Sequence, residues 1–227
     1  MSRMIIKVCG LREEENIREV ERLDVDLTGF IFYPRSSRYV PLHTERKRSL
    51  ESAPVHDTSV TTGKRRVGVF VNDTPENILL RVCHHQLDYL QLHGEESPAF
   101  VEKIKHLLSE RGFGKVRIIK ALRVGREEDI SQWEVYRELV DMLLYDTSCS
   151  SYGGSGTSFD WSFLMRYEGD IPFLLSGGIG PGDADKVLSF NHPMFAGIDL
   201  NSRFETVPAR KDVNKLRNFI QQIRNEE

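Results

Sequence analysis

Short apolar runs alternate with charged, amphipathic stretches along the whole chain. The runs fall at residues 5–9, 27–32, 67–71, 89–92, 116–121, 142–146, 172–175 and 195–198. Each is too short for a buried helix and is bounded by polar residues or glycine, the signature of a buried strand. Between them the pattern predicts helices at residues 13–23, 44–52, 75–83, 98–109, 161–166, 181–190 and 213–223. In the last of these Val213, Leu216, Ile220 and Ile223 recur at helical spacing. Thr74 and Ser97 stand as N-caps ahead of Pro75 and Pro98, where proline's missing N–H does no harm. Residues 123–140 are charged and irregular, so any helix there is short. Residues 53–66 are polar and without period, and read as the return loop before the third strand.

Strands separated by helices imply right-handed crossovers and a parallel sheet. Eight such units of about 28 residues predict a single (β/α)8 TIM barrel over residues 1–227. An open doubly wound sheet is the alternative that the same pattern allows.

Charge and composition narrow the partners. With 31 Lys and Arg against 34 Asp and Glu, the net charge of −3 gives no electrostatic case for nucleic acid. The basic cluster Arg46, Lys47 and Arg48 is flanked by Glu45 and Glu51 and reads as a solvated helix face. No apolar run approaches the ~18 residues a membrane span needs, and residues 1–4 carry no signal-peptide pattern. The three cysteines, Cys9, Cys83 and Cys149, show no paired spacing, which suits reduced thiols in the cytoplasm. Cys83, His84 and His85 diverge around a helix axis and have no second ligand cluster, so no metal is expected.

In a barrel the loops that follow strands carry the chemistry. Here the strand ends hold Cys9 and Gly10, the 33–39 loop, Asn72, His93, Lys120, Asp146, the turn at Ser176, Gly177 and Gly178, and residues 199–202. Asp146 closes an apolar strand, where a carboxylate is costly to bury unpaired. It reads either as an active-site acid or as a loop residue capping the next turn. Gly153, Gly154 and Gly156 follow it and allow close backbone approach to a ligand. The turn after strand seven, with Asp199, Asn201 and Ser202 after strand eight, fits a phosphate cup; the alternative is two tight turns that need glycine. Cys9 is either a reactive thiol or a small buried hydrophobe. Alternation puts Lys7 on the face of Cys9, and a neighbouring cation lowers a thiol's pKa.

Taken in order, Lys7-Val-Cys-Gly10, Gly29-Phe-Ile-Phe32, Ser37-Arg-Tyr39, Val67-Gly-Val-Phe-Val-Asn72, Leu90-Gln-Leu-His-Gly-Glu95, Gly153-Gly-Ser-Gly156, Phe159-Asp-Trp161, Leu175-Ser-Gly-Gly178 and Lys211-Asp212 closely resemble the phosphoribosylanthranilate isomerase family of tryptophan biosynthesis. The resemblance covers nearly the whole chain. It implies a (β/α)8 barrel without cofactor or metal that performs an Amadori rearrangement of a small phosphosugar substrate, as a monomer or homodimer. By motif it makes Cys9 the general base, Asp146 the general acid, and Arg38 the ligand of the anthranilate carboxylate, with Asp199 a further substrate contact. It places the phosphate at Gly154, Ser155, Gly156, Gly177, Gly178, Asn201 and Ser202.

The chain departs from the family pattern in three places. Asn201 stands for a phosphate-binding hydroxyl, Arg203 for a glycine with an expected positive φ, and Thr157 where Lys is frequent. The rearrangement needs an acid and a base on opposite sides of one substrate. Asp146 is therefore expected protonated when it acts, and Cys9 partly thiolate. Three rival readings stand beside this one. The related isomerase of histidine biosynthesis uses an acid where Cys9 stands, and a metal-dependent epimerase needs more strand-end histidines than His93 supplies. An idle phosphosugar-binding protein would have no need of both Cys9 and Asp146.

Overall fold

The computed structural model describes residues 3–42, 64–146 and 161–225. Eight parallel strands close into a barrel in sequence order: β1 (Ile5–Val8), β2 (Leu27–Ile31), β3 (Arg65–Phe70), β4 (Tyr89–Leu92), β5 (Arg117–Arg123), β6 (Met142–Asp146), β7 (Phe173–Ser176) and β8 (Phe195–Leu200). β8 returns to β1 with Lys7 opposite Asp199 and Val8 opposite Leu200. The closed barrel was the expected fold; the open sheet is excluded by this last pairing.

Helices α1 (Glu14–Glu21), α2 (Pro75–His85), α3 (Pro98–Glu110), α4 (Ala184–Ser189) and α5 (Val213–Asn225) pack outside the sheet. The two predicted caps are formed: Thr74 accepts from the Asn77 N–H and Ser97 from the Phe100 N–H. After β5 the connection is a 3-10 helix, Glu127–Tyr136, and after β6 another, Trp161–Arg166. Their irregular apolar spacing explains why no α-helical period marks the first of them. The helix expected at residues 44–52 lies outside the described residues.

Strand alternation divides the core in two. Leu27, Val67, Tyr89, Ile119, Leu144 and Leu174 fill the barrel interior. A larger cluster, including Ile6, Val8, Leu90, Ile118, Leu143 and Phe173, lies between sheet and helices. Residues Ile5, Lys7 and Cys9 follow the inward parity of β1, and Tyr89, Gln91 and His93 that of β4. One element had no counterpart in the pattern. Glu205–Val207 (β9) and Arg210–Lys211 (β10) form an antiparallel ribbon between β8 and α5. Asn16 of α1 pins it, accepting from the Lys211 N–H at 2.7 Å and donating to the Lys211 carbonyl at 3.0 Å.

Candidate active site

At the C-terminal end of the strands lies a cavity of about 260 Å³. Cys9, Gln91, His93, Asp146, Ser176, Gly177, Gly178, Asp199, Asn201 and Ser202 are among its lining residues. The strand ends thus bring together two stretches separated by more than a hundred residues, the thiol of Cys9 and the carboxylate of Asp146.

The β1 side is dry. Cys9 is 3% exposed, and Lys7 beneath it is wholly buried. The Lys7 Nζ donates to Asp199 Oδ1 at 2.8 Å, and the Ser176 hydroxyl donates to Asp199 Oδ2 at 3.3 Å. Burial pushes the Cys9 thiol up, and the nearby charges of Lys7 and Lys211 offset this only in part. The expectation of a thiol lowered by Lys7 is therefore corrected: the cation is present, but desolvation outweighs it and Asp199 adds to the rise. For Lys7 burial would lower the pKa, yet Asp199 wins and the net direction is upward.

The β6 side is more open. His93 Nε2 lies 3.3 Å from Asp146 Oδ2, and Gln91 Nε2 lies 2.8 Å from His93 Nδ1. In this orientation the Gln91 amide donates to Nδ1, so the imidazole proton sits on Nε2 and points at the carboxylate. His93 stood out in the sequence only as a strand end. Its place beside Asp146 follows from the inward parity of Gln91 and His93 on β4, a signal that the alternation of that strand did carry.

The remaining predicted residues separate into three groups. Gly177 and Gly178 have φ of 90° and 72°, a left-handed run that side chains resist, so this turn depends on glycine. Asn201 and Ser202 line the cavity, but the Asn201 Oδ1 also accepts from Lys211 Nζ at 2.8 Å. Arg203 lies in a short 3-10 turn, Ser202–Phe204, and is absent from the positive-φ residues, so the conformational problem expected there does not arise. Gly154, Ser155 and Gly156 lie outside the described residues, as do Cys149 and Thr157.

Arg38 is not in the cavity wall. Its Nε and Nη2 donate to Glu205 Oε1 and Oε2 at 2.8 and 2.6 Å, a two-pronged contact from the loop after β2 to the ribbon after β8. Lys120, another strand-end candidate, faces the helices instead, with its Nζ 3.0 Å from Glu96 Oε2. Among the described residues no group of three or more His, Cys, Asp or Glu is placed to hold a metal ion. Among them also no helix is long and apolar enough to cross a membrane.

Comparison with known proteins decides the family. The model of N-(5′-phosphoribosyl)anthranilate (PRA) isomerase matches residues 6–222. The chain belongs to the phosphoribosylanthranilate isomerase family. An N-(5′-phosphoribosyl)anthranilate isomerase of Parabacteroides distasonis is 48% identical over 220 residues, covering 97% of this chain and 93% of that protein. The crystal structure of phosphoribosyl anthranilate isomerase from Thermotoga maritima superposes with a TM-score of 0.77 at 33% identity, over 98% of this chain and 99% of that one. A phosphoribosyl anthranilate isomerase in complex with reduced 1-(o-carboxyphenylamino)-1-deoxyribulose 5-phosphate matches with a TM-score of 0.74 at 31% identity, over 98% and 99% of the two chains.

Proposed function

We propose that this cavity converts N-(5′-phosphoribosyl)anthranilate to 1-(2-carboxyphenylamino)-1-deoxyribulose 5-phosphate, with Cys9 as base and Asp146 as acid. Asp146 donates a proton to the furanose ring oxygen as its bond to C1′ breaks, leaving a Schiff base at C1′. The Cys9 thiolate then removes the C2′ proton to give an enolamine. Loss of the C2′ hydroxyl proton and protonation at C1′ yield the ketone. No electron acceptor is needed, because C1′ is reduced as C2′ is oxidised.

The observation that carries this reading is the shared cavity: Cys9 follows β1 and Asp146 ends β6, strands on different sides of the closed barrel. An acid and a base facing one substrate from two sides is what the two proton transfers require. The left-handed turn at Gly177 and Gly178, with Ser202 beside it, supports a phosphate site of backbone N–H groups. Asn201 contributes through its amide nitrogen, since its oxygen is held by Lys211. The family resemblance assigns Gly154, Ser155 and Gly156 to the same phosphate. Asp199 acts on the substrate chiefly by holding Lys7 beneath the thiol. The substrate carboxylate meets the end-on fork of Arg38, Nη1 with the second Nη2 hydrogen, because the side fork already faces Glu205. The enzyme works in the cytoplasm as a monomer or homodimer.

The test follows the loss of phosphoribosylanthranilate fluorescence with wild type, Cys9→Ser and Asp146→Asn. Each variant should keep its circular dichroism and lose at least ~10²-fold in turnover. Wild-type turnover by either would remove that residue from the mechanism.

A further inference from the structure

The ribbon after β8 places a buried charge cluster beside Gly10, the residue that follows the thiol. Glu205 Oε1 accepts from Arg38 Nε at 2.8 Å, from Lys211 Nζ at 2.8 Å and from the Ala209 N–H at 3.2 Å. The Lys211 Nζ also donates to Asn201 Oδ1 at 2.8 Å. Lys211 is 2% exposed, and the Glu205 side chain 5%. The residue that joins this cluster to Cys9 is Gly10. A Cβ placed there would lie 2.6 Å from Arg38 Cδ and 2.7 Å from Asn201 Oδ1, so both side chains pack directly on the peptide that follows the thiol.

We propose that Glu205 and Lys211 are positioning residues that couple the two ends of the substrate: Glu205 aims Arg38 at the carboxylate, and the surplus positive charge of the cluster favours the Cys9 thiolate. The proposal rests on the assignment of Cys9 and Arg38 made above. The charges that act on the thiol are Lys7 and Asp199 from β1 and β8, Lys211 from the ribbon and Arg38 from the loop after β2, and Glu205 bears on it through its contacts with Arg38 and Lys211. Among the described residues, three cations against two carboxylates leave one positive charge without a fixed counterpart. Arg203, His93 and Asp146 line the same cavity. Two anions can answer the surplus, the thiolate of Cys9 and the carboxylate of the ligand. Each disfavours the other, and by linkage the effect is reciprocal. Lys211 and Arg38 both feel the Cys9 charge, consistent with this arrangement. Burial of Glu205 alone would raise its carboxyl, but the hydrogen bonds from Arg38 and Lys211 turn it downward, so it stays ionised.

The experiment measures the pH dependence of Cys9 alkylation by iodoacetamide, located by mass spectrometry, together with KM. Glu205→Gln removes a negative charge, and the alkylation midpoint should fall by about one pH unit. Lys211→Met removes a positive one, and the midpoint should rise by a similar amount. Glu205→Asp keeps the charge but shortens the reach, so alkylation should stay at the wild-type midpoint while KM rises about tenfold. Inorganic phosphate should protect wild type and Glu205→Asp at equal concentrations. Circular dichroism identifies which variants are folded, and any one of the three suffices for its own arm. Midpoints unchanged in folded Glu205→Gln or Lys211→Met, or moved the same way in both, would overturn the coupling. Alkylation requires no turnover, so the shifts are read independently of whether the wild-type protein isomerises phosphoribosylanthranilate.

Discussion

Among the described residues, two barrel strands carry a buried lysine paired with a carboxylate, and the two pairs serve different purposes. Lys7 and Asp199 face the lumen, where Ser176 completes their contacts and Cys9 lies above. Lys120 and Glu96 face the helices. There Lys120 also donates to the Gly94 carbonyl at 2.7 Å, while Glu96 accepts from the Asn72 N–H at 2.8 Å and the Gly94 N–H at 2.9 Å. The Tyr136 hydroxyl donates to the Glu96 carbonyl at 2.8 Å, tying in the 3-10 helix after β5. Both pairs are equally buried, so burial of charge does not mark an active site. What separates them is parity along the strand: Lys7 shares the inward face with Ile5, whereas Lys120 lies between the inward Ile119 and Ala121.

The largest expected difference is therefore in turnover. Lys7→Met should lower kcat by at least ~10²-fold, because Asp199 is left uncompensated beside the thiol. Steady-state rates matching wild type would return Lys7 to a purely structural role.

Next comes stability. Lys120→Met strands the Glu96 carboxylate among backbone donors, and should cost about 3–5 kcal/mol in urea unfolding while kcat per folded molecule stays within about threefold. A comparable loss of kcat would erase the distinction between the pairs.

A third difference is read at high pH. The Lys7 pKa is raised above the ordinary 10.5. Its stabilisation is thus fully present below 10.5 and is lost only as pH climbs through the raised value. The stability gap between wild type and Lys7→Met should stay level through neutral pH and narrow above that point. A gap that changes between pH 6 and 8, on the order of 1 kcal/mol, would mean that another group controls the pair.

The smallest effects come from trimming single hydroxyls. Ser176→Ala and Tyr136→Phe should each cost about 1 kcal/mol. Only the former should raise KM, by a few-fold, since only Ser176 lines the cavity.

The strands were legible because each is short, apolar and bounded by polar residues, and the caps at Thr74 and Ser97 because their chemistry is local. The parity argument placed Lys7 under Cys9, but the direction of the Cys9 shift was not legible. It depends on how completely the barrel dries the thiol, a property of eight strands together. Lys211 was legible only as part of a motif, and its pairing with Glu205 was not, because the two meet through a two-stranded ribbon too short to show a period. Arg38 was read from its motif, yet nothing in its loop reveals that its side fork is held by a residue 167 positions away.

The pair beneath the thiol joins residues 192 positions apart. Near the seam Arg224 reaches the Met4 carbonyl at 2.6 Å and Asp26 at 2.7 Å. On the ribosome the first strand emerges long before the last, and distant ends meet only after the intervening chain has been made. Until β8 docks, Lys7 has no Asp199, and the positively charged strand that carries the thiol presents an open edge. The thiol is then still solvated and not yet raised by burial or by Asp199, so sealing the barrel exchanges thiol acidity for a fixed place in the cavity with Asp146. Truncation ahead of Asp199 removes the closing pairing and the partner of Lys7 together, so such a chain should lose the cavity even where its thiol still alkylates.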